Sequence, residues 1–172
     1  MQFTVADRER LATAFHEAAH GVMVVLAGGT VLELKLTEDP QVPGWCSYEG
    51  APEAADRAIT YSGPWAAARW WHGPLPSLQA IRASLADNVC DREELSVSAD
   101  GLPREVESTL EVCWPAIKTV AKNLFVRGTL GHGDVEDALG LGGDDDALSR
   151  SMIASGHPPC SFEVYQPGQF KG

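Results

Sequence analysis

Apolar positions recur at helical spacing over residues 6–26, where Leu11, Ala12, Phe15, Ala19, Val22, Met23 and Leu26 mark one buried stripe. The stretch lacks proline, can be capped by Thr4 or Asp7, and stops at Gly28-Gly29. Residues 30–37 then alternate apolar and polar side chains, the period of a strand. Asp39-Pro40 and Pro43-Gly44 are turn signals, and residues 45–49 form a short second strand paired with the first. Residues 53–71 return to helical spacing, with a kink expected at Gly63-Pro64. After the break at Gly73-Pro74-Leu75-Pro76, Ser77 caps a helix carrying Leu78, Ile81 and Leu85. Residues 87–101 are polar and have room for a short helix. Residues 102–127 read as one long helix, opened at Pro103, bent at Pro115 and stopped by Gly128. Residues 134–139 make a last short helix.

The pattern predicts a mainly α fold with a small β-hairpin or sheet. Its 172 residues suffice for one domain with a core, placed at residues 1–141. Residues 142–172 turn to Gly, Asp, Ser and Pro and are expected to be a flexible tail. The net charge of −11 argues against nucleic acid as a partner, because phosphate binding needs a basic surface. Cys46, Cys90, Cys113 and Cys160 include no Cys-x-x-Cys pair, so a cysteine zinc knuckle is not expected. The first twenty residues lead directly into the first helix, which leaves no room for a signal peptide, and no apolar run is long enough to span a bilayer. A cytoplasmic protein with reduced thiols is the expectation. The five tryptophans are read as core or subunit-contact residues before any ligand role.

The chemistry lies in His16-Glu17-Ala18-Ala19-His20. On a helix, residues four apart share a face, so two imidazoles at this spacing can hold one metal ion. The adjacent glutamate can act on a water at that metal, which is the logic of the zinc-peptidase motif. Both histidines fall at the edge of the buried stripe, where a solvated face would carry Lys and Glu. Burying them beside a glutamate without a metal or hydrogen-bond partners would be costly.

A catalytic zinc needs three protein ligands and one position left for water. A metzincin would have glycine and histidine where Met23 and Leu26 stand. A thermolysin-like ligand on a following helix is not offered, since Glu33, Glu38 and Asp39 lie in or beside a strand. His72 and His132 are flanked by glycine in loop-like contexts. Asp87, Asp91, Glu93 and Glu94 cluster in one polar segment, the best place to look.

The order of elements resembles the peptidase domain of the FtsH-type ATP-dependent zinc metalloproteases. Residues 14–21 match its His-Glu-Ala-Gly-His helix, residues 30–48 its strands, residues 59–67 its next helix, and residues 114–130 its closing helix and turn. The resemblance covers about residues 7–141. It implies a helical zincin domain in which His16, His20 and Asp91 bind Zn2+ and Glu17 is the general base, with Asp87 as the runner-up third ligand. The acidic residue of the family after Ala67 is replaced by Ala68 and Arg69. The family's ATPase domain and membrane anchor have no space in this chain.

The expected function is zinc-dependent hydrolysis of peptide bonds in unfolded or flexible protein segments, without a membrane. An ATPase partner supplied in trans and homo-oligomerisation stay open. The strand at residues 30–37 is the expected site of substrate strand addition. Two alternatives remain: a regulatory His-Glu-x-x-His protease that cleaves a repressor-like partner, and a non-catalytic, metal-stabilised binding module.

Overall fold

A computed structural model describes residues 4–96, 101–143 and 145–161. Among them the fold is mainly helical with a small antiparallel sheet, as the patterning predicts. Helix α1 (Val5–Leu26) is the axis of the molecule. Thr4 Oγ1 accepts from the Asp7 backbone N–H at 3.1 Å, and Asp7 Oδ2 accepts from the Thr4 N–H at 2.9 Å, a reciprocal cap that satisfies two free donors. From Leu11 to Val25 every residue of α1 except Thr13 is buried. This helix is therefore enclosed on all sides, not on the one stripe its apolar spacing suggested.

Around it pack α2 (Asp56–His72), α6 (Trp114–Arg127), α7 (His132–Leu139) and the sheet. In that sheet β1 (Thr30–Leu36) is central, antiparallel to both β2 (Gly44–Glu49) and the short β3 (Thr129–Leu130). The alternation placed β1 and β2, but two residues carry no period, and β3 was not expected. β1, the strand expected to receive a substrate strand, is paired along one edge with β2 and at Leu34 and Lys35 of the other with β3, whereas β2 lies at the edge of the sheet.

The remaining helices are α3 (Leu78–Asp87), capped by Ser77 Oγ, α4 (Val89–Ser96), α5 (Glu107–Val112) and α8 (Asp146–Ala154). The long helix expected over residues 102–127 is divided. A turn of 3-10 helix (Arg104–Val106) leads into α5, and α6 starts after Cys113. Pro115 explains the division: with no N–H to continue the ladder, it sits in the first turn of a new helix instead of bending an old one. In contrast, α2 continues through Pro64. Inside the segment expected as a tail, α8 buries Ser149 and Ile153 against the body, and residues 162–172 lie outside the described residues. Phe15 stacks between Trp70 and Trp114, with ring centroids 4.8 and 5.0 Å away, and Trp65 is fully buried. No helix among the described residues is long and apolar enough to cross a membrane.

Candidate metal centre

Helix α1 stacks His16 and His20 one turn apart, and both are buried, 6% and 8% exposed. Their rings meet edge-on and their Nε2 atoms lie 2.9 Å apart. Helix α4 brings Asp91 against them, with Oδ2 3.0 Å from His16 Nε2 and 3.7 Å from His20 Nε2. The three side chains thus form one cluster of metal-ligating atoms. Asp87, at the exposed end of α3, lines the neighbouring cleft but is outside the cluster. His72 is exposed. His132 is engaged elsewhere: its Nδ1 accepts from the Val31 N–H at 3.2 Å and its Nε2 pairs with Glu136 at 3.1 Å. Glu33 accepts from the Trp45 indole at 3.0 Å.

The residues that orient the site come from α2, inside residues 59–67, but none was expected to have a role there. His20 Nδ1 lies 2.7 Å from the Ile59 carbonyl oxygen, to which the Ser62 hydroxyl also donates at 2.6 Å. A carbonyl only accepts, so Nδ1 carries a proton and Nε2 is turned to the cluster. Gly63 stands directly over the imidazoles. A Cβ there would fall 2.4 Å from His20 Nε2 and 2.6 Å from His16 Nε2. Gly63-Pro64 is visible in the sequence as a helix interruption, inside residues 59–67 that resemble the second helix of the FtsH type.

These residues fit a metal ion. Ligand atoms about 2.0–2.2 Å from a tetrahedral zinc stand about 3.3–3.5 Å from one another. The observed separations, 2.9, 3.0 and 3.7 Å, bracket that value. Asp91 Oδ2 is buried and has no hydrogen-bond partner among the described residues, and a metal ion would give it a positive one. Burial alone would raise the Asp91 carboxyl, but its polar contacts with His16 and His20 outweigh this and hold it well below the carboxylate range. Burial likewise pulls His20 down, yet the Asp91 and Glu17 carboxylates and the Ile59 carbonyl bring it up to about 9. The cluster therefore attracts positive charge.

Glu17 lies beside the cluster, 7% exposed, and faces a cleft of about 300 Å³. Burial raises its carboxyl pKa; the two imidazoles oppose this shift and Asp91 adds to it. Edge strand β2 starts at the same place. A Cβ on Gly44 would stand 3.1 Å from Glu17 Cγ and 2.9 Å from the Lys35 carbonyl oxygen, so only glycine lets the strand enter this close to α1. The cleft continues along α1 past Thr13 and Ala12 to Glu9, between β2, Trp71 of α2 and the end of α3.

The replaced acidic position has its own role. Arg69 donates to both carboxylate oxygens of Glu111, at 2.9 and 2.7 Å, and its guanidinium lies 3.9 Å from the Trp114 ring centroid. It ties α2 to α5 and α6 instead of serving the metal centre.

Residues 7–80 match the family model described as Peptidase M50B-like. The matched stretch holds His16, Glu17, His20, the β1–β2 pair, α2 and Gly63, and ends before α4 and Asp91. The match supports a metallopeptidase. It does not single out the FtsH type, which is a different family. Comparison with curated proteins and with solved structures gives no match.

Proposed function

We propose that the chain is a zinc metallopeptidase acting on unfolded or flexible protein segments. The observation that carries this reading is the convergence of His16 Nε2, His20 Nε2 and Asp91 Oδ2 under the gap left by Gly63, with Glu17 at the floor of an open cleft. Zinc held by these three residues supplies Lewis acidity, bringing the pKa of a water to about 7 and polarising a carbonyl. Glu17 is the general base, and its burial raises its basicity towards what a proton shuttle at neutral pH requires. It takes the proton of the attacking water and delivers it to the departing amine. Ile59 and Ser62 hold the His20 ring in the orientation the site needs.

An extended substrate fits the outer edge of β2, whose first residue borders the cleft beside Glu17. A cleft of this size admits side chains of an extended chain and excludes a folded domain. Delivery of folded substrates would require a separate unfolding ATPase. The order of helix, strand pair, second helix and later aspartate supports the FtsH-type arrangement among metallopeptidases.

The test combines metal content with turnover. Protein purified without added metal is expected to hold about one zinc per chain and to cleave a reduced, alkylated unfolded protein, while Glu17→Gln keeps the zinc and loses cleavage. Zinc bound with no cleavage would instead support the non-catalytic module. Failure to bind zinc would remove the proposal.

A further inference from the structure

We propose that the cleft beside the metal centre recognises a basic side chain, lysine or arginine, of the peptide substrate. The inference rests on the peptidase reading for the substrate being a peptide. The recognition itself rests on the cleft. Glu9 and Asp87 line it from two different helices, and neither has an ion pair among the described residues. No lysine or arginine lines it. Glu17, more than nine-tenths buried and facing the same space, accepts no hydrogen bond among the described residues. Unpaired carboxylates around a partly enclosed space raise the local concentration of cations, and the chain's net charge of −11 acts in the same direction.

The apolar part of the cleft suits the stem of such a side chain. Ala12 and Ala67 are small and buried, and Trp71 is 48% exposed beside them. An aliphatic stem can lie on this surface while its charged head stays near solvent and carboxylate. The Trp71 ring adds a favourable face for a cation. Spacing agrees as well. Glu9 precedes His16 by seven residues, two turns or about 10 Å of helix, and shares its face. A substrate residue held beside the metal would extend its side chain along that face towards Glu9. An acidic side chain would meet like charge, and an apolar one would leave both carboxylates unpaired.

The test uses two acetylated, amidated alanine hexapeptides, one carrying arginine at its third position and the other its neutral isostere, citrulline. Each is titrated into zinc-loaded Glu17→Gln protein and followed by tryptophan fluorescence and calorimetry. The arginine peptide is expected to bind about tenfold more tightly, the sum of two exposed charge pairs and one cation–π contact. Added salt should shrink the preference, and the Glu9→Gln/Asp87→Asn double variant should cut it to the few-fold that the cation–π contact alone supplies, while keeping its zinc. Equal affinity, no binding of either peptide, or a preference undiminished by the double substitution overturns the proposal. Parallel incubation with unsubstituted enzyme separates the two readings. Cleavage of both peptides at one rate keeps the peptidase reading and removes this one. Selective binding of arginine without cleavage of any peptide does the reverse.

Discussion

Replacing Gly63 with alanine puts the metal centre to its most direct test. A helical glycine with free space around it normally gains about 0.4–1 kcal/mol on becoming alanine, because the unfolded chain loses freedom. At Gly63 the new Cβ would stand 2.4 Å from His20 Nε2, about 1 Å inside the 3.4 Å limit of ordinary contact. The His20 ring cannot simply turn away, since its Nδ1 is tied to the Ile59 carbonyl at 2.7 Å. Helices α1 and α2 must separate or the imidazoles must leave their positions. Overpacking of this kind costs about 1–3 kcal/mol, so the sign of the stability change reverses. Disturbing the contacts that orient a ligand lowers metal affinity by about 10- to 100-fold, and direct occupation of the space above both Nε2 atoms should do at least that. Zinc affinity is read by competition with a chromophoric chelator, and stability by urea unfolding of the zinc-free protein. Gly133→Ala, on α7 with nothing within 4 Å of its Cβ, is the control. Wild-type zinc affinity together with unchanged or raised stability in Gly63→Ala would refute the reasoning.

Asp91→Ala should lose bound zinc and Asp87→Ala should keep it, as read by elemental analysis; the reverse result would move the third ligand to α3. Arg69→Met preserves much of the packing on Trp114 but leaves Glu111 without its two charged donors, and should lower urea stability by about 2 kcal/mol. The Arg69 hydrogen bonds hold the Glu111 carboxyl below its ordinary 4.5, against the opposing pull of burial. Its stabilisation is therefore present above pH 4.5 and lost as pH falls through the lower folded value. Urea midpoints measured down this range should drop in the wild type and lose that component in Glu111→Gln; identical profiles would dissociate Glu111 from acid sensitivity.

What the sequence could reveal followed from local periodicity. The 3.6-residue spacing of α1, the alternation in β1 and the Ser77 cap each have a physical signature within one element, and so does the one-turn stacking of His16 and His20. Relations between elements do not. Nothing local tells that β1 would be flanked on both sides, because its pairing with Thr129–Leu130 joins residues almost a hundred positions apart. Pro115 is ambiguous for a different reason: a proline can kink a helix or begin one, and the surrounding fold decides. Selection of Asp91 over Asp87 needed a family resemblance, since the two acids are four residues apart in one polar segment. Gly63 was legible as a glycine inside a helical pattern, but the reason for it, two imidazoles on another helix, exists only once α1 and α2 cross.

That crossing also explains how the centre divides its labour. The two histidines stand on a helix buried on every side, with the His20 ring fixed from α2, so half of the site is as rigid as the core itself. The third side chain comes from a helix of another kind. On α4, Val89 is 51% exposed, Cys90, Arg92, Glu93 and Glu94 are also exposed, and Leu95 is the buried anchor. From this helix Leu95 is buried in the core and Asp91 reaches the cluster. A carboxylate in so enclosed a place needs a positive partner. In the metal-free protein a proton on His20, whose pKa is brought up to about 9, fills that role. A divalent ion would fill it more strongly and would join residues 16, 20 and 91 through one atom. Free energy of metal binding would then be spent in part on fixing α4. Because α4 follows directly on the end of α3, which walls the cleft with Ser84, Asp87 and Asn88, fixing α4 through a metal would also steady that wall.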